Sequence, residues 1–178
     1  MASLEIIAEG NVDNDSTSLS LTGIDQSYEH LSIDLNFQEN QTNYRSEEFR
    51  VSVNGDGLSS YYYGGTHMSL KNGNAWLIQS FHQSGYPVAI MGFAAGAYQN
   101  SAQRSACRLF FPGYSNTNFE KSWLGRTNSQ NYTAGDSDSL AFSVGSRTGT
   151  SAITAIAIRG SGGSNIACNY TMYGWKSA

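Results

Sequence analysis

Charge is scarce in this chain of 178 residues: Asp, Glu, Lys and Arg together make up 13%, about half of the roughly 25% usual in soluble domains. Its surface must therefore be built largely from Ser, Thr, Asn, Gln and Gly. The ten basic residues form no block and the net charge is −4, which disfavours nucleic acid as a direct partner, because phosphate binding needs clustered cations. Proline is nearly absent, with two residues against nineteen glycines, a balance that suits tight turns between short strands. No run approaches the ~18 apolar residues of a membrane helix, so no membrane partner is expected. The start, Met1-Ala-Ser-Leu-Glu-Ile-Ile7, lacks the basic and apolar regions of a signal peptide. Synthesis in a cytoplasm is the expectation.

Reactive chemistry is equally thin. The two cysteines, Cys107 and Cys168, sit in separate strand-like runs and read as buried thiols. A disulfide would require neighbouring strands and an oxidising compartment. No Cys/His spacing points to zinc. His30, His67 and His82 lie in different segments, none beside a nucleophile motif. Glu47 and Glu48 are adjacent, so on a strand they point to opposite faces and cannot flank one glycosidic bond. Asp136 and Asp138 read as solvated turn acids. Asn11-Val-Asp-Asn-Asp-Ser16 spaces oxygen ligands as a calcium loop does, yet it lacks the glycine and the bidentate glutamate; a polar turn is expected. Gly160–Gly163 lies between strands rather than at a helix N-terminus, which excludes a phosphate loop. No enzyme, cofactor or metal is expected.

What is present is period-2 alternation. In Leu31-Ser-Ile-Asp-Leu-Asn-Phe-Gln38 the apolar residues fall on one face and the polar ones on the other. Phe49–Val53 repeats the pattern and runs into Asn54-Gly55, a strong hairpin signal with Tyr61–Tyr63 as the expected partner. Further strands are predicted at Leu4–Glu9, Ser18–Leu21, Met68–Lys71, Ala75–Phe81, Val88–Phe93, Cys107–Phe111, Ser122–Arg126 and Ser139–Val144. A closing hairpin is predicted from Ala152–Arg159 and Ile166–Trp175, turning on Gly160–Ser164. Gln38–Ser46, Gly96–Ser105 and Tyr114–Asn118 read as surface loops. The expected fold is all-β, an antiparallel, jelly-roll-like β-sandwich in one domain spanning residues 1–178.

Aromatic residues reach 12%, and Tyr61, Tyr62, Tyr63, Trp76, Trp123 and Trp175 are the candidate interface or glycan-stacking side chains. Strand geometry turns Tyr62 away from Tyr61 and Tyr63. Core or subunit interface outweighs carbohydrate binding as the reading of this set.

Three stretches carry a resemblance. Ser20-Leu-Thr-Gly-Ile-Asp-Gln-Ser-Tyr-Glu-His-Leu-Ser-Ile33 is similar to an "LTGI-x-Q-x-Y-x-x-L" opening, and Phe49-Arg-Val-Ser-Val-Asn-Gly-Asp56 resembles "LRFNGD". Ile153-Thr-Ala-Ile-Ala-Ile158 and Tyr170-Thr-Met-Tyr-Gly-Trp175 resemble "I-T-x-I-x-L" and "T-L-Y-G-I". Together they resemble a family of β-sandwich modules of tailed-bacteriophage virion proteins. The likeness departs at Met172 and Trp175 and does not extend to Ala89–Ala97. It implies a non-enzymatic, free-standing structural protein located in the virion. The leading expectation is a capsid decoration (cement) protein, a homo-oligomer with a trimer favoured, partnered by the major capsid protein or other virion proteins. The alternative is a tail-tip or fibre-associated carbohydrate-binding module with a host glycan as partner.

Overall fold

The computed structural model describes residues 3–39, 46–55, 61–71, 75–86, 88–96, 104–129, 139–160, 163 and 165–176. Among them run twelve strands and no helix: β1 Ser3–Ser16, β2 Leu19–Thr22, β3 His30–Glu39, β4 Ser46–Val53, β5 Tyr61–Lys71, β6 Ala75–Tyr86, β7 Ala89–Gly96, β8 Ser105–Phe111, β9 Lys121–Ser129, β10 Ser139–Arg147, β11 Ala155–Arg159 and β12 Ile166–Lys176. Alternation drives them. In β9, Lys121, Trp123, Gly125, Thr127 and Ser129 are buried while the four residues between them are exposed, the two faces of a half-covered sheet.

The strands form two layers. The smaller has the order β2-β11-β4-β7, and the larger β1-β12-β3-β8-β9-β10-β5-β6. Every ladder is antiparallel except a two-residue parallel one, Gln38–Ala95 and Glu39–Gly96, which stitches β3 to β7. The chain changes layer at eight of the eleven connections between strands, in the manner of a jelly roll. The β8-β9-β10 meander and the β1–β12 pair widen the larger sheet. Between the layers lies a continuous apolar core that includes Ile33, Phe37, Phe49, Val51, Leu109, Phe111, Trp123 and Ile156. At its centre the Trp123 ring packs 5.7 Å from Phe111 and 6.0 Å from Tyr61.

Several local expectations are corrected. β11 and β12 do not pair with each other: β11 lies between β2 and β4, and β12 between β1 and β3. The glycine segment is thus a crossover between layers. Gly160 is needed because the Glu39 carboxylate fills the space a side chain would take. Asn11–Ser16 continues β1 opposite Ile166–Asn169, with an irregularity near its end, so no calcium loop or free turn exists there. Tyr114 begins a loop yet is fully buried, its hydroxyl donating to the Asp25 carbonyl. The strands expected at Met68–Lys71 and Ala75–Phe81 fall within β5 and β6, which pair with Lys71 opposite Ala75. Asp136, Asp138 and most of the Gln38–Ser46 and Gly96–Ser105 loops lie outside the described residues.

Asn54-Gly55 also departs from its hairpin. Both residues take positive φ, 55° and 69°, as that dipeptide permits, but β4 pairs with β7 and β11 rather than β5. The Asn54 amide instead donates to the Ala152 carbonyl at 2.8 Å, and its oxygen accepts from Thr154 N–H at 2.8 Å and Ala155 N–H at 3.2 Å. It thereby holds the entry to β11. Next to it, the buried Tyr61 hydroxyl donates to the Val53 carbonyl at 3.0 Å and accepts from its N–H at 2.8 Å, tying the larger sheet to the smaller. Asn54→Ala strands these groups and places a Cβ-bearing apolar residue at positive φ; a loss of about 2 kcal/mol in urea unfolding is expected. A loss below about 0.5 kcal/mol would remove Asn54 as the anchor of β11.

Candidate functional site

Five of the six candidate aromatics divide between inside and outside; the Trp76 side chain lies outside the described residues. Tyr61, Tyr63 and Trp123 are buried in the core, while Tyr62 and Trp175 are 50% and 39% exposed. Trp76 stands opposite Leu70 in the β5–β6 ladder. Tyr62 and Trp175 lie on β5 and β12, five strand spacings apart, roughly 24 Å at ~4.8 Å per spacing. No common groove joins them.

The remaining chemistry does not converge. Among the described residues no three of His, Cys, Asp or Glu stand together as a metal site. His30 Nδ1 accepts from the Gly113 N–H at 2.9 Å, His67 is half-buried on β5, and His82 is exposed on β6. Glu48 is gripped by Arg50 at 2.5 Å. Cys107 and Cys168 are free and buried, on the strands flanking β3. Two strand spacings, about 9.6 Å, exceed the ~7 Å limit between Cα atoms for a disulfide. Burial pushes the Cys168 thiol up to about 11 and the Cys107 thiol well above its ordinary range.

What the structure does bring together is the outer face of the larger sheet. Nine large apolar side chains are exposed among the described residues. Eight of them (Leu4, Ile6, Tyr62, Ile78, Leu124, Phe142, Val144 and Trp175) project from this face; Phe119 alone is in a loop. The register aligns them in rows. One row crosses all eight strands: Ile6, Tyr173, Ser32, Phe110, Leu124, Val144, Gly64 and His82. Because Gly64 has no side chain, a shallow apolar depression of about 440 Å³ opens beside Leu124, Phe142 and Val144. Outward positions on β2 and β11 of the smaller sheet are short or polar by contrast: Ser20, Thr22, Ala155, Ala157 and Arg159.

The adjacent row carries the charge: Glu9, Thr171, Asp34, Arg108, Arg126, Phe142 and Thr66. Arg108 and Arg126 are directly opposite each other, a placement that is repulsive unless compensated. Arg108 clasps Asp34 through two bonds, Nε–Oδ1 at 2.5 Å and Nη2–Oδ2 at 2.6 Å. The Arg126 guanidinium lies 5.7 Å from the centre of the Phe142 ring, within cation–π range.

Sequence reading missed Leu124, Phe142, Val144 and Arg126. The usable signal was size: in β10 the alternate set Ala141, Ser143, Gly145 is too small to fill a core alone, and it faces inward under Trp123 and Met91. Comparison with protein-family models, with curated proteins and with solved structures finds no match.

Two measurements check this partition. Trp123→Ala should lower unfolding free energy by about 3–5 kcal/mol, whereas Tyr62→Ala should change it by about 0.5 kcal/mol; equal costs would reverse the facing of β5 and β9. Since only thiolates react, both cysteines should resist Ellman's reagent at pH 8 in the native protein and react fully in guanidinium. Fast native labelling of either would contradict the burial.

Proposed function

We propose that this chain is a non-enzymatic structural protein of a bacteriophage virion, a capsid decoration protein that binds the outer surface of the head as an oligomer. One observation carries the reading: among the described residues, eight of the nine exposed large apolar side chains gather on one sheet face. Eight strands make that face roughly 34 Å wide, and soluble monomers rarely leave a broad contiguous apolar patch to solvent. Such a face, with few charges to desolvate, suits assembly with other protein. The sequence resemblance to tailed-phage β-sandwich modules supplies the virion context and the expectation of a trimer. The carbohydrate-binding alternative draws less support, since three of its six aromatics are in the core and the two exposed ones, Tyr62 and Trp175, stand roughly 24 Å apart.

The test uses purified protein and heads of the encoding phage that lack it. Wild-type protein should bind the heads and raise their resistance to heat, and Leu124→Glu combined with Val144→Glu should abolish binding while the protein stays folded by circular dichroism. Undiminished binding by the double variant would remove the sheet face from the interaction. Failure of wild type to bind heads, together with sugar-dependent blocking of adsorption, would replace this reading with the carbohydrate-binding one.

A further inference from the structure

The apolar face is not uniform: its electrostatic centre is the Arg108–Arg126 pair on β8 and β9, the two middle strands of the eight. The chain supplies one carboxylate there, and both oxygens of Asp34 are engaged by Arg108. Arg126 has no ion-pair partner among the described residues and rests on the Phe142 ring, beside the apolar depression formed by Leu124, Val144 and Gly64.

This arrangement discriminates between occupants. Two copies meeting face to face about a two-fold axis through this pair would bring four guanidinium groups together with only two carboxylates, both already used; Glu9, at the far end of the same row, stands four strand spacings away, roughly 19 Å. Burying the two unmatched charges would cost far more than the surrounding apolar contact returns. A different protein surface that brings its own carboxylate removes the mismatch. An aspartate or glutamate can form a charge-assisted, two-point hydrogen bond with Arg126, while flanking aliphatic side chains fill the space above Gly64.

We propose that Arg126 is the specificity anchor of this face, and that the occupant is a heterologous protein segment presenting one carboxylate flanked by aliphatic side chains. The inference rests on the docking-face reading above and names the chemistry of the partner. In this arrangement Asp34 acts as a positioning residue, holding Arg108 so that Arg126 alone is left to receive the partner's acid.

The test is a nuclear magnetic resonance titration of the intact chain with two synthetic probes, acetyl-Leu-Asp-Val-Leu-amide and its Asn counterpart. The acidic peptide should perturb Leu124, Arg126, Phe142 and Val144 and bind about fivefold more tightly than the Asn peptide at low salt, the scale of a partly exposed ion pair. Arg126→Gln, an exposed substitution that leaves the core intact, should make the two peptides equivalent, and Arg126→Lys should restore part of the difference. Equal affinity for both peptides, or shifts confined to another surface, would overturn the proposal. So would sedimentation showing that Arg126→Gln or Leu124→Glu changes the oligomeric state, because a second copy would then cover the face. Indifference to the carboxylate with intact head binding sinks this inference alone; discrimination by the peptides without head binding sinks only the decoration reading.

Discussion

The outward set of side chains on β9 and β10 follows from the need to bury Trp123. Its indole is fully inside, and directly across the β9–β10 ladder stands Gly145, where even a Cβ would come within 2.5 Å of the ring. Only a glycine can occupy that place, so the tryptophan sets the register of β10 against β9. A slip of one residue would drive Ser146 or Val144 into the indole and turn β10 over. With Trp123 and Gly145 inward, the period of two sends Leu124 and Arg126, then Val144 and Phe142, outward. The exposed apolar surface is thus the obverse of the best-packed part of the core.

The same logic explains how a chain with so little charge places its ions. Arg108 and Arg126 face each other because the ladder that aligns Phe110 with Leu124 also aligns the two arginines. Asp34, next along the row, neutralises one of them. An exposed pair of this kind adds little stability, so its consequence is chiefly directional: it leaves a single cation in an apolar field. Specificity from one charge is feasible where few others compete for the same partner.

How much of this could be read from the residues differs by level. The all-β class and most strand positions followed from alternation, clearest in Leu31–Gln38, whose four apolar residues are all inward. Pairing did not follow. Asn54-Gly55 has the dihedral angles of a hairpin turn, yet its side chain is committed to Ala152, Thr154 and Ala155, about a hundred residues away in sequence, and local propensity carries no information on such a contact. Nor could the ending be recognised as two strands in separate layers, since a glycine-rich link fits a hairpin and a crossover equally. The candidate face was hidden for a different reason: hydrophobicity alone turns Leu140, Phe142 and Val144 inward. Only the volume of Trp123 opposite Gly145 reverses that choice.

The closing strands have a bearing on how the molecule comes to be folded. β11 fills the gap between β2 and β4, and β12 the gap between β1 and β3. A nascent chain therefore carries two unfinished sheets until residues 155–176 have left the ribosome. The only ladder that holds β1 among the described residues runs to β12, so β1 waits for a strand roughly 160 residues later. Contacts of such long sequence separation fold slowly, and for that interval the edges of β1, β2, β3 and β4 are open to other chains. A protein made in many copies at once would meet that hazard as a matter of synthesis rate and temperature. Its yield of native molecules would be set by the race between closure by β12 and capture of those edges by a neighbour.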